Sequence, residues 1–70
     1  MGETILIDSQ KVRDAVMGLR TNAMAVSRKA GLSYQTIRDI LKNDKRVRPC
    51  NALRLADALG LPVESLIRGE

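Results

Sequence analysis

Residues 22–43 read NAMAVSRKAGLSYQTIRDILKN, and this stretch decides the fold. Asn22 suits the N-cap of a helix over Ala23–Ala30, because its side-chain oxygen can accept from a backbone N–H of the first turn. Gly31 ends that helix, since glycine enters the left-handed region at low cost. Ser33 then caps a further helix from Tyr34 to about Lys42, whose apolar face is Ile37, Ile40 and Leu41. Asn43-Asp44 signals a stop and a turn.

Working outward, helical periodicity covers most of the chain. Asp8 or Ser9 can cap a first helix to about Leu19, with Val12, Ala15, Val16 and Leu19 at i, i+3, i+4, i+7. Lys45 to Arg48 reads as a basic loop. Pro49 fits the first position of a fourth helix, which carries Ala52, Leu53, Leu55, Ala56 and Leu59 and stops at Gly60. Pro62 can start a short fifth helix with Val63, Leu66 and Ile67 apolar. Thr4-Ile5-Leu6-Ile7 is a short β-branched run, a strand or an extended arm. The expected architecture is all-α: five short helices over residues 9–68, with residues 1–8 as an N-terminal arm or strand.

Composition narrows the function. Seventy residues make one domain against a prior of roughly 100–200 per domain. A chain this short buries only about 60% of its unfolded surface. Cys50 is the single cysteine and there is no His, so neither an internal disulfide nor a metal site is expected. Cys50 has no general base to activate it, and no paired carboxylates or Gly-rich phosphate loop appear, so no enzyme, cofactor or small-molecule ligand is expected. Met17 and Met24 read as core filler. No apolar stretch could cross a membrane and no secretion signal opens the sequence, so a cytoplasmic protein is expected.

Charge is unevenly placed. From Arg20 to Arg48 eight basic residues face only Asp39 and Asp44, a net +6, while the remainder is −2. A basic centre suggests an anionic partner.

Two short helices joined through Ala30-Gly31-Leu32-Ser33 have the corner of a helix-turn-helix, about three to four residues and containing Gly. Ser27 supplies the small side chain where the first of the two helices runs under the second. Val26, Ala30, Leu32, Ile37 and Ile40 would lock the pair onto the domain, leaving Tyr34, Gln35, Arg38 and Asp39 facing outward. With Val26-Ser27, Ala30-Gly31-Leu32-Ser33, Thr36-Ile37-Arg38-Asp39-Ile40 and Leu55-Ala56-Asp57-Ala58-Leu59-Gly60 in place and at matching separations, residues 22–59 resemble the phage-repressor and Cro-like helix-turn-helix family of DNA-binding regulators.

The resemblance implies a five-helix, lambda-repressor-like domain with its third helix in the major groove. Tyr34, Gln35, Arg38 and Asp39 fall at its base-contacting positions, and Ser33, Thr36, Asn43 and the following loop where phosphates are touched. Asn22 joins this phosphate set. Ala23 stands where many members carry a Gln that grips the DNA backbone, and Ala52 replaces a common Leu, a loss of core volume that the Ile5-Leu6-Ile7 arm could fill.

The residue chemistry agrees. Gln pairs two-fold with adenine N6 and N7, and Arg with guanine O6 and N7. Gln35 and Arg38 are i, i+3 and share a face. Tyr34 has a phosphate contact open to it as well as a base contact. Asp39 could accept from cytosine N4, repel phosphate or hold an Arg in place. Lys42, Lys45, Arg46 and Arg48 read as phosphate clamps, which set register without reading sequence.

The expected partner is therefore double-stranded DNA, on a pseudo-palindromic operator bound by a homodimer. Ile5, Leu6 and Ile7, pairing edge to edge with their own copy, or Val63, Leu66 and Ile67 would form the dimer surface. The regulator would act as a repressor by occluding a promoter, or touch polymerase. The competing expectation is a protein-interaction module on the same fold, such as an antitoxin, whose basic loop grips an acidic protein.

Overall fold

A computed structural model describes residues 3–68. The order is β1 (Ile5–Ile7), α1 (Ser9–Gly18), α2 (Ala23–Ala30), α3 (Tyr34–Lys42), β2 (Lys45–Val47) and α4 (Pro49–Leu59), then one 3-10 turn over Val63–Ser65. Among the described residues there are four α-helices, not five, and the architecture is mainly helical with a small antiparallel sheet of β1 and β2 rather than all-α.

Local chemistry starts and stops the helices as the sequence suggests. Asp8 caps α1, accepting from the Gln10 and Lys11 N–H groups. Asn22 accepts from the Ala25 N–H at 2.9 Å to cap α2. Gly31 closes α2 in the left-handed region at φ 72°, and Leu32 N–H donates back to Ser27 O at 3.0 Å. Ser33 Oγ accepts from the Thr36 N–H at 3.1 Å at the head of α3. The corner is thus held by its own backbone and caps. The end of α1 is different. Gly18 is the last helical residue, but the left-handed position falls two residues later on Arg20, at φ 54°. An L side chain there costs roughly 1–2 kcal/mol.

The core gathers Ile7, Val12, Val16, Val26, Ile37, Ile40, Val47, Ala52, Leu55, Ala56, Leu59 and Leu66. Ser27 is buried, and its Oγ donates to Met24 O at 2.8 Å, so its burial leaves no unmade bond. Ala52 is fully buried, and β1 packs against α4 with Ile7 in the same core.

Three expectations need correction here. Lys45–Val47, read as loop, is a strand: Ile5 faces Val47, Leu6 faces Arg46 and Ile7 faces Lys45. Alternation explains it, since Val47 points into the core while Arg46 stays in solvent. The fifth helix shrinks to the 3-10 turn, because residues 66–68 make their backbone bonds with the other side of β1. Asp8 N–H donates to Leu66 O at 2.8 Å and Arg68 N–H to Leu6 O at 2.9 Å, around an Ile7–Ile67 bridge. Both edges of β1 are therefore occupied within the chain, which leaves no free edge for pairing with a second copy. Finally, Met17 and Met24 are not core filler. They are 74% and 47% exposed.

One polar cluster ties this seam together. Asp44, between α3 and β2, accepts from the Ser9 N–H at 2.9 Å and from the Arg68 guanidinium. The Ser9 N–H first, and then the Arg68 charge, hold the Asp44 carboxyl below the usual carboxylate range. Arg13 adds a donor to Leu41 O at 2.7 Å, satisfying a carbonyl in the last turn of α3.

Candidate nucleic-acid interface

The α2–α3 corner presents α3 with its apolar face inward on Ile37 and Ile40 and its polar face free. Tyr34, Gln35 and Arg38 are exposed on that face, and Asp39 is half-exposed beside them. Two i, i+4 pairs order the row. The Arg38 guanidinium lies 5.8 Å from the centre of the Tyr34 ring, a cation–π distance. Gln35 Nε2 donates to Asp39 Oδ1 at 3.0 Å. Lys42 continues the row one turn beyond Arg38 and is exposed.

Residues expected at phosphates lie at the ends of α2, α3 and α4 and on β2. Ser33 Oγ and Thr36 Oγ1 sit 2.7 Å apart at the head of α3, where the helix dipole favours an anion. Asn22 spends its side-chain oxygen on its own cap, which leaves its amide nitrogen as a donor. Asn43 is exposed at the end of α3. Lys45 Nζ lies 3.9 Å from Asp39 Oδ2, Arg46 Nη1 donates to Thr4 Oγ1 at 3.4 Å, and Arg48 is exposed at the head of α4. Strand β2 thus places Lys45 beside Asp39 of α3, while Arg46 turns to the other face of the strand, toward Thr4. Lys45-Arg46-Val47 carries little strand signal of its own, and only its pairing with Ile5-Leu6-Ile7 reveals the strand. Ala23 borders an open depression of about 270 Å³ with Tyr34, Arg38, Leu41 and Lys42, space that a longer side chain at position 23 would occupy.

The candidate dimer residues divide. Ile7 and Leu66 are fully buried in the chain's own core, so neither has a side chain to offer a partner. Ile5, Leu6, Val63 and Ile67 are half-buried. Large apolar side chains that sequence reading did not assign to a surface are more exposed, with Leu53 on α4 at 57% and Leu19 at 54%. Among the described residues no three His, Cys, Asp or Glu side chains come together, and no helix is long and apolar enough to cross a membrane.

No family model matches the sequence, and no curated protein is similar to it. Its structure is similar to several solved ones. PhpD with cadmium atoms matches with a TM-score of 0.77 and 25% identity over 90% of this chain, and a mutant of hydroxyethylphosphonate dioxygenase with a TM-score of 0.78 at the same identity and coverage. The chain spans only 13% and 14% of the length of those two proteins. The restriction-modification controller protein C.AhdI from Aeromonas hydrophila matches with a TM-score of 0.76 and 19% identity, over 81% of this chain and 86% of that one. The likeness to C.AhdI extends over most of both chains and is one of fold. The two short helices joined through a tight corner that were anticipated from residues 22–43 are present as α2 and α3, within a fold the chain shares with C.AhdI.

Proposed function

We propose that this chain is a sequence-specific double-stranded DNA-binding transcription regulator that reads the major groove with α3. The observation that carries the reading is the ordered polar row on the free face of α3, flanked by cations on its own last turn and on β2. Arg38 and Gln35 are the base readers, Arg38 suited to guanine and Gln35 to adenine. Tyr34 braces Arg38 and contacts the DNA beside it. Asn22, Ser33, Thr36, Lys42, Asn43, Lys45, Arg46 and Arg48 hold phosphates and set the register of the helix in the groove. Chemistry on the DNA is not part of the proposal. Occupancy of a promoter by a homodimer on a pseudo-palindrome represses transcription in the cytoplasm of a bacterial or phage-infected cell. Of the anticipated dimer surface, edge-to-edge pairing of β1 is closed off, and Ile5, Leu6, Val63 and Ile67 offer a partner only half-buried side chains.

The likeness to a controller protein supports this reading, because there the fold is close to the whole chain. The dioxygenase likeness covers a small part of a longer protein, and its activity is not carried over. Selection from a random duplex pool, with labelled DNA because the chain has no Trp, tests the proposal. A palindromic site bound about 10³-fold over scrambled DNA is expected. Binding that only weakens with salt, with no sequence enriched, would reduce the basic face to a general anion binder.

A further inference from the structure

A side-chain amide that turns over by half a rotation exchanges its donor for its acceptor. On α3 that freedom is removed from Gln35. Its Nε2 donates to Asp39 Oδ1 at 3.0 Å, one turn further along the helix. A carboxylate only accepts, so the reversed amide would set Gln35 Oε1 against Asp39 Oδ1, acceptor against acceptor. Asp39 is flanked on its other side by β2, where Lys45 Nζ lies 3.9 Å from Oδ2. Both carboxylate oxygens therefore have partners within the chain.

We propose that Asp39 is a positioning residue that makes Gln35 a reader of adenine, and that it makes no base contact of its own. The inference rests on the DNA-binding reading above. With one amide hydrogen given to Asp39, Gln35 retains one donor hydrogen and its Oε1 acceptor. Adenine presents a donor, N6, beside an acceptor, N7, and satisfies both. Guanine presents two acceptors, O6 and N7, so Oε1 would meet an acceptor instead of a donor. The negative charge of Asp39 behind the amide adds to the rejection of guanine, a repulsive element of the kind that specificity requires.

The test starts from the site that the wild-type protein selects, and measures relative affinity for all four bases at each pair. Asp39→Ala is expected to lower the preference for adenine over guanine about tenfold at the one pair that Gln35→Ala also affects. Its melting temperature should match the wild type, since the side chain is at the surface. Affinity for scrambled DNA rises as a negative charge is removed, so the base ratio is the readout. Asp39→Glu keeps an acceptor-only carboxylate and restores most of the preference, whereas Asp39→Asn can turn its own amide to match either orientation of Gln35 and does not. In the Gln35→Ala background, Asp39→Ala changes no base preference further. A change at a pair that Gln35→Ala leaves alone, additive losses in the double variant, or a wild-type preference for guanine at the Gln35 pair would each overturn the inference while the DNA-binding reading stands. If the wild-type protein enriches no sequence at all, both fall together.

Discussion

The α2–α3 corner and the β1 seam are both short stretches of chain, but they are held by different means. In the corner, Asn22, Gly31 and Ser33 act on backbone groups within one turn of themselves. In the seam, β1 bonds to β2 about forty residues away on one side, and to residues 66–68 about sixty away on the other. Burial is also reversed. The corner exposes its chemistry on α3, while the seam sinks Ile7, Val47 and Leu66 into the core. The lesson is a division of labour. The seam and α4 make a firm base from side chains that cannot change, and the free face of α3 carries side chains whose replacement costs the fold little.

The sharpest way to break that division is Ile7→Ala. Ile7 is fully buried, so about 2–5 kcal/mol of stability should go. For a domain of this size each kcal/mol is worth about 4–8 °C, and the loss should be plain in a thermal melt followed by circular dichroism. A melt within a few degrees of wild type would show that β1 is a dispensable arm. Arg38→Ala is the opposite case. Stability should stay within about 0.5 kcal/mol, while discrimination for the selected site falls by about 1–3 kcal/mol at one base pair, measured by competition with single-base variants. A destabilised Arg38→Ala would mean that the exposed face is part of the scaffold after all.

Ser33→Ala tests the boundary between the two roles. Removing the α3 cap should cost about 1 kcal/mol in chemical denaturation, with the helix otherwise intact. At the end of α1, Arg20→Gly should be neutral or stabilising by up to about 1 kcal/mol, because relief of the left-handed strain is partly offset by the entropy of glycine. The smallest effect is on acid stability. The Asp44 carboxyl sits below its ordinary range when folded, so its stabilising bonds are present above about pH 4 and are lost as pH falls through the folded value. Asp44→Asn should flatten that acid limb of the unfolding profile. An unchanged limb would place the acid sensitivity in another carboxylate.

Most of the helix-turn-helix was legible in residues 22–43 for a physical reason. N-caps, a left-handed glycine and an i, i+3, i+4 apolar face act over a few residues, so their causes and effects lie side by side in the chain. The candidate site was legible to the same extent, since Tyr34, Gln35, Arg38 and Asp39 share a face by spacing alone. Legibility ended where a segment's hydrogen-bond partners were distant. Leu66 and Ile67 look helical beside Val63, yet their backbone groups are claimed by Leu6, Ile7 and Asp8. Lys45-Arg46-Val47 looks like a charged loop until Ile5-Leu6-Ile7 is laid against it.

By itself, then, the sequence determined where α1 to α4 begin and which side chains α3 leaves free, because those choices depend on local capping and periodicity. The tertiary structure decided that residues 5–7 are a strand bonded on both edges, that the last apolar residues extend instead of coiling, and that Lys45 reaches Asp39 on α3. Each of these depends on backbone or charge partners that meet only once the helices have packed, and three-residue strands carry too little local preference to announce them.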